Sequence, residues 1–295
     1  MESTLDCIVC FVRQSLDAAR MVSSDPSVHE RIMREVLQWT ANMDMKTPPP
    51  VLGQRIHRRL REISGNTDPY REVKEQSNRM ALALLPDLRA SIQNAPEPLV
   101  MALRLALAGN VIDMGVSSTI SLTDIQAAVS SAVSEPLVGP LAQFKQALSE
   151  ARTIFYLADN AGEIVFDRLL IEQLGPGRVT VAVRGAPVIN DATIEDAKAA
   201  GLDELVPIVE NGSDAPGTLL ADCSDAFRRR FETADLVIAK GQGNFETLSM
   251  EKRNIFFLFK AKCSVIAAHV GLPMGTHVLA VPQSSDAGSS DPTGR

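Results

Sequence analysis

The architecture of this chain is best predicted from residues 153–163, which read Thr-Ile-Phe-Tyr-Leu-Ala-Asp-Asn-Ala-Gly-Glu. Residues 153–157 form an apolar run of the length of a buried strand, and residues 164–174 form an amphipathic segment. The polar turn between them therefore predicts a strand–turn–helix unit. In an open α/β sheet, ligands bind outside the carboxyl ends of the strands. An acidic turn with a glycine at this place predicts a ligand site or a helix cap.

The same alternation continues toward the C-terminus. Short apolar, β-branched runs separated by helix-like segments follow at 179–183, 205–209 and 236–238. This order predicts a Rossmann-like α/β domain over residues 151–281, with a mainly parallel sheet flanked by helices. The runs 255–259 and 263–267 are candidates for one or two further strands.

Residues 1–150 show almost no strand pattern and are predicted to form an all-helical domain. Apolar residues recur there at helical spacing, for example around Val36 and Leu84. A long helix is expected from about residue 70 to residue 85, ending near Pro86. The segment 282–295 is rich in Ser, Asp, Gly and Pro, and is predicted to be a disordered tail.

The composition argues against several classes of protein. A net charge of −7 disfavours a general nucleic-acid binder, which needs a basic face. No apolar run approaches the roughly 20 residues that span a bilayer, and the acidic N-terminus does not resemble a signal peptide. Four cysteines in 295 residues argue against a disulfide scaffold. We expect a soluble, cytoplasmic protein without nucleic-acid or membrane partners; its oligomeric state stays open.

Cys7 and Cys10 have the spacing of half a zinc site, but no second paired motif follows. A bound metal, a redox pair and two buried apolar cysteines therefore all remain open.

Oxygen-bearing side chains follow two successive predicted strands. Asp159 and Asn160 end the first, and Asp191 follows the second after a short loop. Carboxylate and amide oxygens without nearby His or Cys suit a hard cation such as Mg²⁺ or Mn²⁺. The alternative is that these residues are N-caps, which Asp and Asn favour. Their occurrence at successive strand ends favours a metal site.

Lys240 follows the fourth predicted strand and precedes two glycines in the segment 239–246. A lysine that points into the crevice suits a phosphate oxygen, and the glycines allow close backbone approach. The alternative is an ordinary glycine turn with a solvated lysine. The amides after Gly162 open a predicted helix and could bind an anion. Further polar residues are candidates for substrate contacts: Glu163, Arg184, Asn190, Ser213, Asp214, Asn244, Asn110 and Asp113. The alternative is a surface loop for Ser213 and Asp214, and helix caps for Asn110 and Asp113.

These motifs together resemble the damage-control metal-dependent phosphatases, a family long catalogued as a domain of unknown function. The matching segments are Asp68–Tyr70 with Lys74 and Asn78, 109–113, 159–163, 187–191, 212–217 and 240–246. The resemblance covers about residues 5 to 281, and Cys7 and Cys10 are similar to the prokaryotic branch. It implies a helical domain packed on a Rossmann-like domain, with the active site in the cleft.

The resemblance also implies phosphomonoester hydrolysis with Mn²⁺, Co²⁺, Ni²⁺ or Mg²⁺. By family motif, Asp159, Asn160 and Asp191 would hold the metal, and Lys240 would bind phosphate. The implied substrates are small phosphorylated metabolites, including sugar phosphates and damaged cofactor intermediates. One branch of the family has been described as a carboxyl methyltransferase.

We therefore predict hydrolysis by metal-activated water, with Glu163 and Asp113 as candidates for proton transfer. A phosphoaspartate intermediate on Asp159 is disfavoured, because the acid/base aspartate expected two residues later is Ala161. An S-adenosylmethionine-dependent methyltransferase is the main alternative, but the first loop is acidic and the second strand ends in Arg184. A non-catalytic metabolite-binding protein is the third hypothesis. The substrate stays open.

Overall fold

The computed structural model describes residues 1–109 and 122–282. The predictions for Asn110 and Asp113, and for the tail beyond residue 282, lie outside the described residues.

The N-terminal part is helical. Its helices are α1 (Leu5–Val22), α2 (Pro26–Ala41), α3 (Pro49–Ser64), α4 (Arg71–Gln93), α5 (Pro98–Ala108), α6 (Leu122–Ser134) and α7 (Leu141–Glu150). Three of them start with proline, whose fixed φ suits the first helical position. Helices α1 to α3 enclose a small apolar core of their own, which includes Ala19, Ile32, Val36 and Leu60.

The C-terminal part is built on a sheet. Its strands are β1 (Leu137–Val138), β2 (Ile154–Leu157), β3 (Val179–Val183), β4 (Ile208–Glu210), β5 (Leu236–Lys240), β6 (Ile255–Lys260) and β7 (His277–Ala280). The strand order is β1-β7-β6-β5-β2-β3-β4, and only β6 and β7 are antiparallel. The accompanying helices are α8 (Glu163–Leu174), α9 (Ile194–Ala199), α10 (Asp225–Thr233), α11 (Gln242–Leu248) and α12 (Ser264–Val270). The predicted fold class is confirmed.

Both faces of the sheet are buried, as the continuous apolar runs predict for parallel strands. On β2, Ile154 and Tyr156 join the core formed with α5 and α8, whereas Phe155 and Leu157 join the core that contains Phe227. Because β2, β3, β5 and β6 run parallel, their carboxyl ends lie at the same edge of the sheet. That edge receives the loops that carry the predicted site residues.

Four details differ from the sequence predictions. The strand predicted at 205–209 begins only at Ile208, because the amides of Leu205 and Val206 close a turn on the Leu202 carbonyl. The run 263–267 is not a strand: it begins α12, because periodicity alone does not separate short apolar strands from buried helices. Helix α4 continues through Pro86 to Gln93, since Leu84, Leu85 and Leu88 keep one buried face across the proline. The short strand β1 lies in the otherwise helical half and pairs with β7.

No helix among the described residues is long and apolar enough to cross a membrane. The division of the chain into domains at residue 150 stays a prediction.

Candidate metal centre

Asp159, Asn160 and Asp191 come together where β2 and β3 end. Asn160 and Asp191 face each other in an isolated antiparallel bridge. The N–H of Ala192 donates to the carbonyl of Asp159 at 2.7 Å, so the two loops are joined through their backbones. The capping alternative does not hold for these three residues. Helix α8 begins after Gly162, and Thr193 caps α9.

The cluster concentrates buried negative charge. Asp159 is 9 % exposed and Asp191 4 %. Burial raises the pKa of Asp159 well above its usual range, and the charges of Glu163 and Asp191 add to the rise. Burial also raises the pKa of Asp191, although Arg184 opposes the rise. Two adjacent buried carboxylates are unfavourable unless a cation balances them, so this oxygen donor set fits a hard divalent ion.

The described residues contain no ready-made group of three or more His, Cys, Asp or Glu side chains that would hold a metal. An ion at this place therefore depends on the Asn160 oxygen and on ligands from solvent or substrate.

Gly241 makes room for the Asp159 carboxylate. A Cβ atom added to Gly241 would lie 2.0 Å from Oδ2 of Asp159, and the glycine has a φ of 81°. At this junction between β5 and α11, the backbone passes directly against the carboxylate. The glycine that was predicted to approach a ligand therefore approaches the candidate metal ligand itself.

Arg184 supplies a buried cation beside both carboxylates. Its Nε donates to Oδ2 of Asp191 at 2.7 Å, and its Nη2 lies 3.9 Å from Oδ1 of Asp159. Nη2 is buried and makes no hydrogen bond within the described part of the chain. Since a buried donor without a partner is costly, this atom marks a place for a ligand oxygen.

Asn244 positions Arg184 from the other side. Its Oδ1 accepts from Nη1 of Arg184 at 3.3 Å and from the Thr218 hydroxyl at 2.8 Å, while its Nδ2 donates to the Lys240 carbonyl at 2.7 Å. Asn244 is 0 % exposed, and its hydrogen bonds hold Arg184 and Thr218 against the end of β5. Its predicted role in substrate binding stays a prediction.

The predicted position of Lys240 requires correction. Lys240 is the last residue of β5 and is 0 % exposed. Its Nζ donates to Glu163 and Asp167 at 2.5 Å and to the Ala106 carbonyl at 3.0 Å. The ammonium therefore faces α5 and α8 and not the crevice, because its side of the strand is covered by these helices.

The carboxylates around Lys240 form a buried network behind the candidate metal ligands. Burial raises the pKa of Asp167 to about 6, although Lys240 opposes the rise. The Tyr156 hydroxyl donates to Asp167 at 2.8 Å. Glu163 accepts from Asn160 Nδ2 at 3.4 Å, so the network reaches the site through Glu163.

Gly162 and the loop after β4 form hydrogen bonds with the helical half. The N–H of Gly162 donates to Oδ1 of Asn78 at 2.7 Å, so this amide is not available to an anion. Asp214 accepts from Gln54, Arg58 and Arg61 of α3. The Ser213 hydroxyl donates to Asp222. Asp214 therefore joins the loop after β4 to α3, whereas Ser213 contacts Asp222, and the predicted substrate contacts of both residues stay predictions.

The loop before Asp191 is strained. Ile189 has a φ of 47°, the only positive value of a non-glycine residue in the described ranges. Such a conformation is an outlier for a β-branched residue, and strain of this kind clusters at functional sites. The carbonyl of the next residue, Asn190, accepts from the N–H of Ala161 at 2.8 Å. Asn190 thus contributes a backbone link between the two loops.

Lys262 is a residue that the sequence reasoning missed. It is exposed and follows β6, at the same edge of the sheet as the other loops. Burial raises the pKa of both Asp159 and Asp191, and the charge of Lys262 opposes that rise at both carboxylates. A lysine two residues beyond a parallel strand was the available signal.

Known proteins are similar to this chain over nearly its whole length. A sequence model described as the damage-control phosphatase ARMT1-like domain matches residues 3–278. An uncharacterized protein of Methanocaldococcus jannaschii is 35 % identical over 291 residues, and the alignment covers 93 % of each chain. A damage-control phosphatase of Pyrococcus horikoshii is 34 % identical over 284 residues, covering 94 % of this chain and 97 % of that one.

A damage-control phosphatase of Archaeoglobus fulgidus is 34 % identical over 282 residues, covering 93 % of this chain and 97 % of its own. The crystal structure of a Pyrococcus horikoshii protein from the DUF89 family superposes with a TM-score of 0.86 at 33 % identity. The superposition covers 96 % of this chain and 100 % of the Pyrococcus horikoshii chain.

Proposed function

The chain belongs to the damage-control phosphatase ARMT1-like family, as its motifs predicted, and from this premise we propose that it is a divalent-metal-dependent phosphatase of small phosphorylated metabolites. Two relatives that match it over nearly their full lengths are named damage-control phosphatases. Sugar phosphates and chemically damaged phosphometabolites are the substrate class that we propose. The metal is Mn²⁺, Co²⁺, Ni²⁺ or Mg²⁺, all of which accept oxygen ligands.

One observation carries the proposal. Two buried carboxylates, Asp159 and Asp191, lie beside the Asn160 amide and beside Nη2 of Arg184, which has no hydrogen-bond partner among the described residues. Arg184 carries one positive charge against two carboxylates, so the carboxylates need a further cation, and Nη2 of Arg184 needs an acceptor oxygen. A metal-bound phosphate satisfies both requirements at once.

The roles of the residues follow from these positions. Asp159, Asn160 and Asp191 would hold the cation, whose chemistry is to polarise a phosphoryl oxygen and to lower the pKa of a bound water. Arg184 Nη2 donates to a phosphoryl oxygen, and we assign the exposed phosphate-binding lysine to Lys262 in place of Lys240. These two cations stabilise the charge that spreads over the equatorial oxygens during transfer.

Lys240 acts from behind the site. It neutralises Glu163 and Asp167, and Glu163 in turn accepts from the Asn160 amide nitrogen. The same Asn160 nitrogen donates to Oδ2 of Asp159 at 2.9 Å, so this amide links Glu163 to the first candidate metal ligand. Ala161 supplies no side chain for acid/base work at the position that a phosphoaspartate enzyme requires, which favours attack by water.

The test uses metal-stripped protein, p-nitrophenyl phosphate and a panel of sugar phosphates, with each divalent cation added back separately. We expect phosphate release only with a cation present. Asp159→Ala should lose both metal binding and turnover while circular dichroism shows a persistent fold. Asp203→Ala, at an exposed carboxylate, is the matched control. Full activity of Asp159→Ala, or tight S-adenosylmethionine binding without phosphate release, would contradict the proposal.

A further inference from the structure

The side chain of Asn78 connects the helical half to both loops of the candidate metal centre. Asn78 lies on α4 and is 3 % exposed. Its Oδ1 accepts from the N–H of Gly162 at 2.7 Å, and its Nδ2 donates to Oδ1 of Asp196 at 2.9 Å. Gly162 ends the turn that carries Asp159 and Asn160. A single amide group therefore bridges two chain segments that approach the site from neighbouring strands.

Asp196 transmits this contact to the second loop. It lies in the first turn of α9, and its Oδ2 accepts from both the N–H of Thr193 at 2.9 Å and the Thr193 hydroxyl at 2.8 Å. Thr193 is two residues beyond Asp191. Lys74, one turn before Asn78 on α4, places its ammonium 3.3 Å from the same Asp196 oxygen and 2.9 Å from Asp68. All these side chains are buried.

The Asn78 bridge supplies a hydrogen bond that the Asp159–Asn160 turn does not make for itself. Gly162 precedes α8 with a φ of 74°, and that helix end has no side-chain cap. Its N–H would be left without an acceptor if Asn78 were removed, and buried backbone donors are rarely left unpaired. The Asp159–Asn160 turn, which backbone hydrogen bonds already join to the Asp191 loop, is thus also tied to the helical half, through an amide that is simultaneously bound to the Asp191 side.

We infer that Asn78 is a positioning residue that holds the Asp159–Asn160 turn and the Asp191 loop at the separation required for one metal ion. The inference rests on the proposed function. Asn78 itself touches neither Asp159 nor Asp191 by any described contact. It acts through Gly162 on one loop and through Asp196 on the other. Residues that orient ligands in this way typically change metal affinity by about 10- to 100-fold when they are altered.

A reciprocal exchange of the two side chains tests the inference. Asn78→Asp keeps an oxygen for Gly162 but places two carboxylates against each other. Asp196→Asn keeps an oxygen for Thr193 but places two amide donors against each other. The double variant restores the bridge with reversed polarity, since Asp at 78 accepts from Asn at 196, and net charge is unchanged. Asn94→Asp, at the exposed end of α4, is the matched control.

The first measurement is the dissociation constant for Mn²⁺ by calorimetry, without substrate. We expect each single variant to bind about 10- to 100-fold more weakly, and the double variant to return to within about twofold of wild type. Thermal unfolding of the metal-free proteins shows whether each variant is folded. Single variants that are folded and bind Mn²⁺ as wild type does, or a double variant without rescue, would overturn the inference.

Hydrogen exchange of the metal-free proteins gives a readout that does not depend on the proposed function. Backbone amides in peptides covering 159–163 and 190–194 should exchange faster in both single variants and at the wild-type rate in the double variant. If wild-type protein binds no divalent cation, the proposed function fails while exchange still tests the bridge. Unchanged exchange in both peptides of the single variants would show that Asn78 does not hold the loops.

Discussion

Replacement of Gly241 by alanine tests whether the metal centre depends on the close approach of Asp159 to the β5–α11 junction. Gly241 has a φ of 81°, a conformation that L side chains rarely adopt. A Cβ atom at this position would lie 2.0 Å from Oδ2 and 2.1 Å from Cγ of Asp159. These distances are far below any van der Waals contact, so the carboxylate or the junction must move.

The expected effect has two parts. With a φ of 81° and a ψ of 158°, Gly241 lies in a backbone region that is almost restricted to glycine, and an alanine there costs about 1–3 kcal/mol of folding free energy, whatever space surrounds it. Displacement of the Asp159 carboxylate adds a loss of metal affinity, which the backbone conformation alone does not cause. Because partners that merely orient a ligand are worth about 10- to 100-fold in affinity, displacement of the ligand itself should cost at least about 10-fold.

Gly271→Ala separates the two parts. Gly271 is left-handed, with a φ of 68° and a ψ of 29°, and an added Cβ would meet no atom within 4 Å, so this variant carries a backbone cost without a clash. Urea unfolding of metal-free protein should show a loss of about 1–2 kcal/mol in Gly271→Ala and at least as large a loss in Gly241→Ala. Calorimetry with Mn²⁺ should show weakened binding only in Gly241→Ala. Wild-type Mn²⁺ affinity in Gly241→Ala would refute the reasoning.

Three further predictions follow from the charges of the site and its surroundings. Lys262→Ala should raise KM for p-nitrophenyl phosphate without destabilising the fold, because the side chain is exposed. Lys240→Met should lower the free energy of unfolding by about 3–5 kcal/mol, since it leaves Glu163 and Asp167 buried without their cation. Burial raises the pKa of Glu246 from 4.5 to about 7, so the folded state holds the proton more tightly and stability falls as pH rises through that window. In urea titrations, Glu246→Gln should lack this fall, which is on the order of 1–2 kcal/mol because the side chain is partly exposed.

Each of these predictions has a contrary outcome. An unchanged KM in Lys262→Ala, with exposed Lys252→Ala as the control, would return the phosphate-binding role to another cation. A stable Lys240→Met protein with a raised KM would show that Lys240 reaches substrate after all. Parallel stability curves for wild type and Glu246→Gln between pH 4.5 and 7 would show that this carboxyl group is not held protonated by burial.

Much of the fold was predictable because strands and helices leave local patterns. The apolar runs that became β2, β3 and β5 were identified within one or two residues, and the strand ends located Asp159, Asn160 and Asp191 correctly. The run 263–267 was assigned wrongly, because a short apolar segment fits a buried helix and a strand equally well. Strand β7 was not predicted, since its pairing with β6 is a tertiary contact.

The sequence alone determined the fold class and the edge of the sheet where the candidate ligands meet, because periodicity and strand order are local and parallel strands align their ends. Only the tertiary structure decided which charges pair. Lys240 lies at the predicted strand end, yet helices α5 and α8 cover its side of the sheet and bind its ammonium. Asn78 meets Gly162 across 84 positions of chain, a contact that no local pattern encodes. The physical reason is that pairing of buried polar groups depends on how distant helices pack, and each such group must find a partner there.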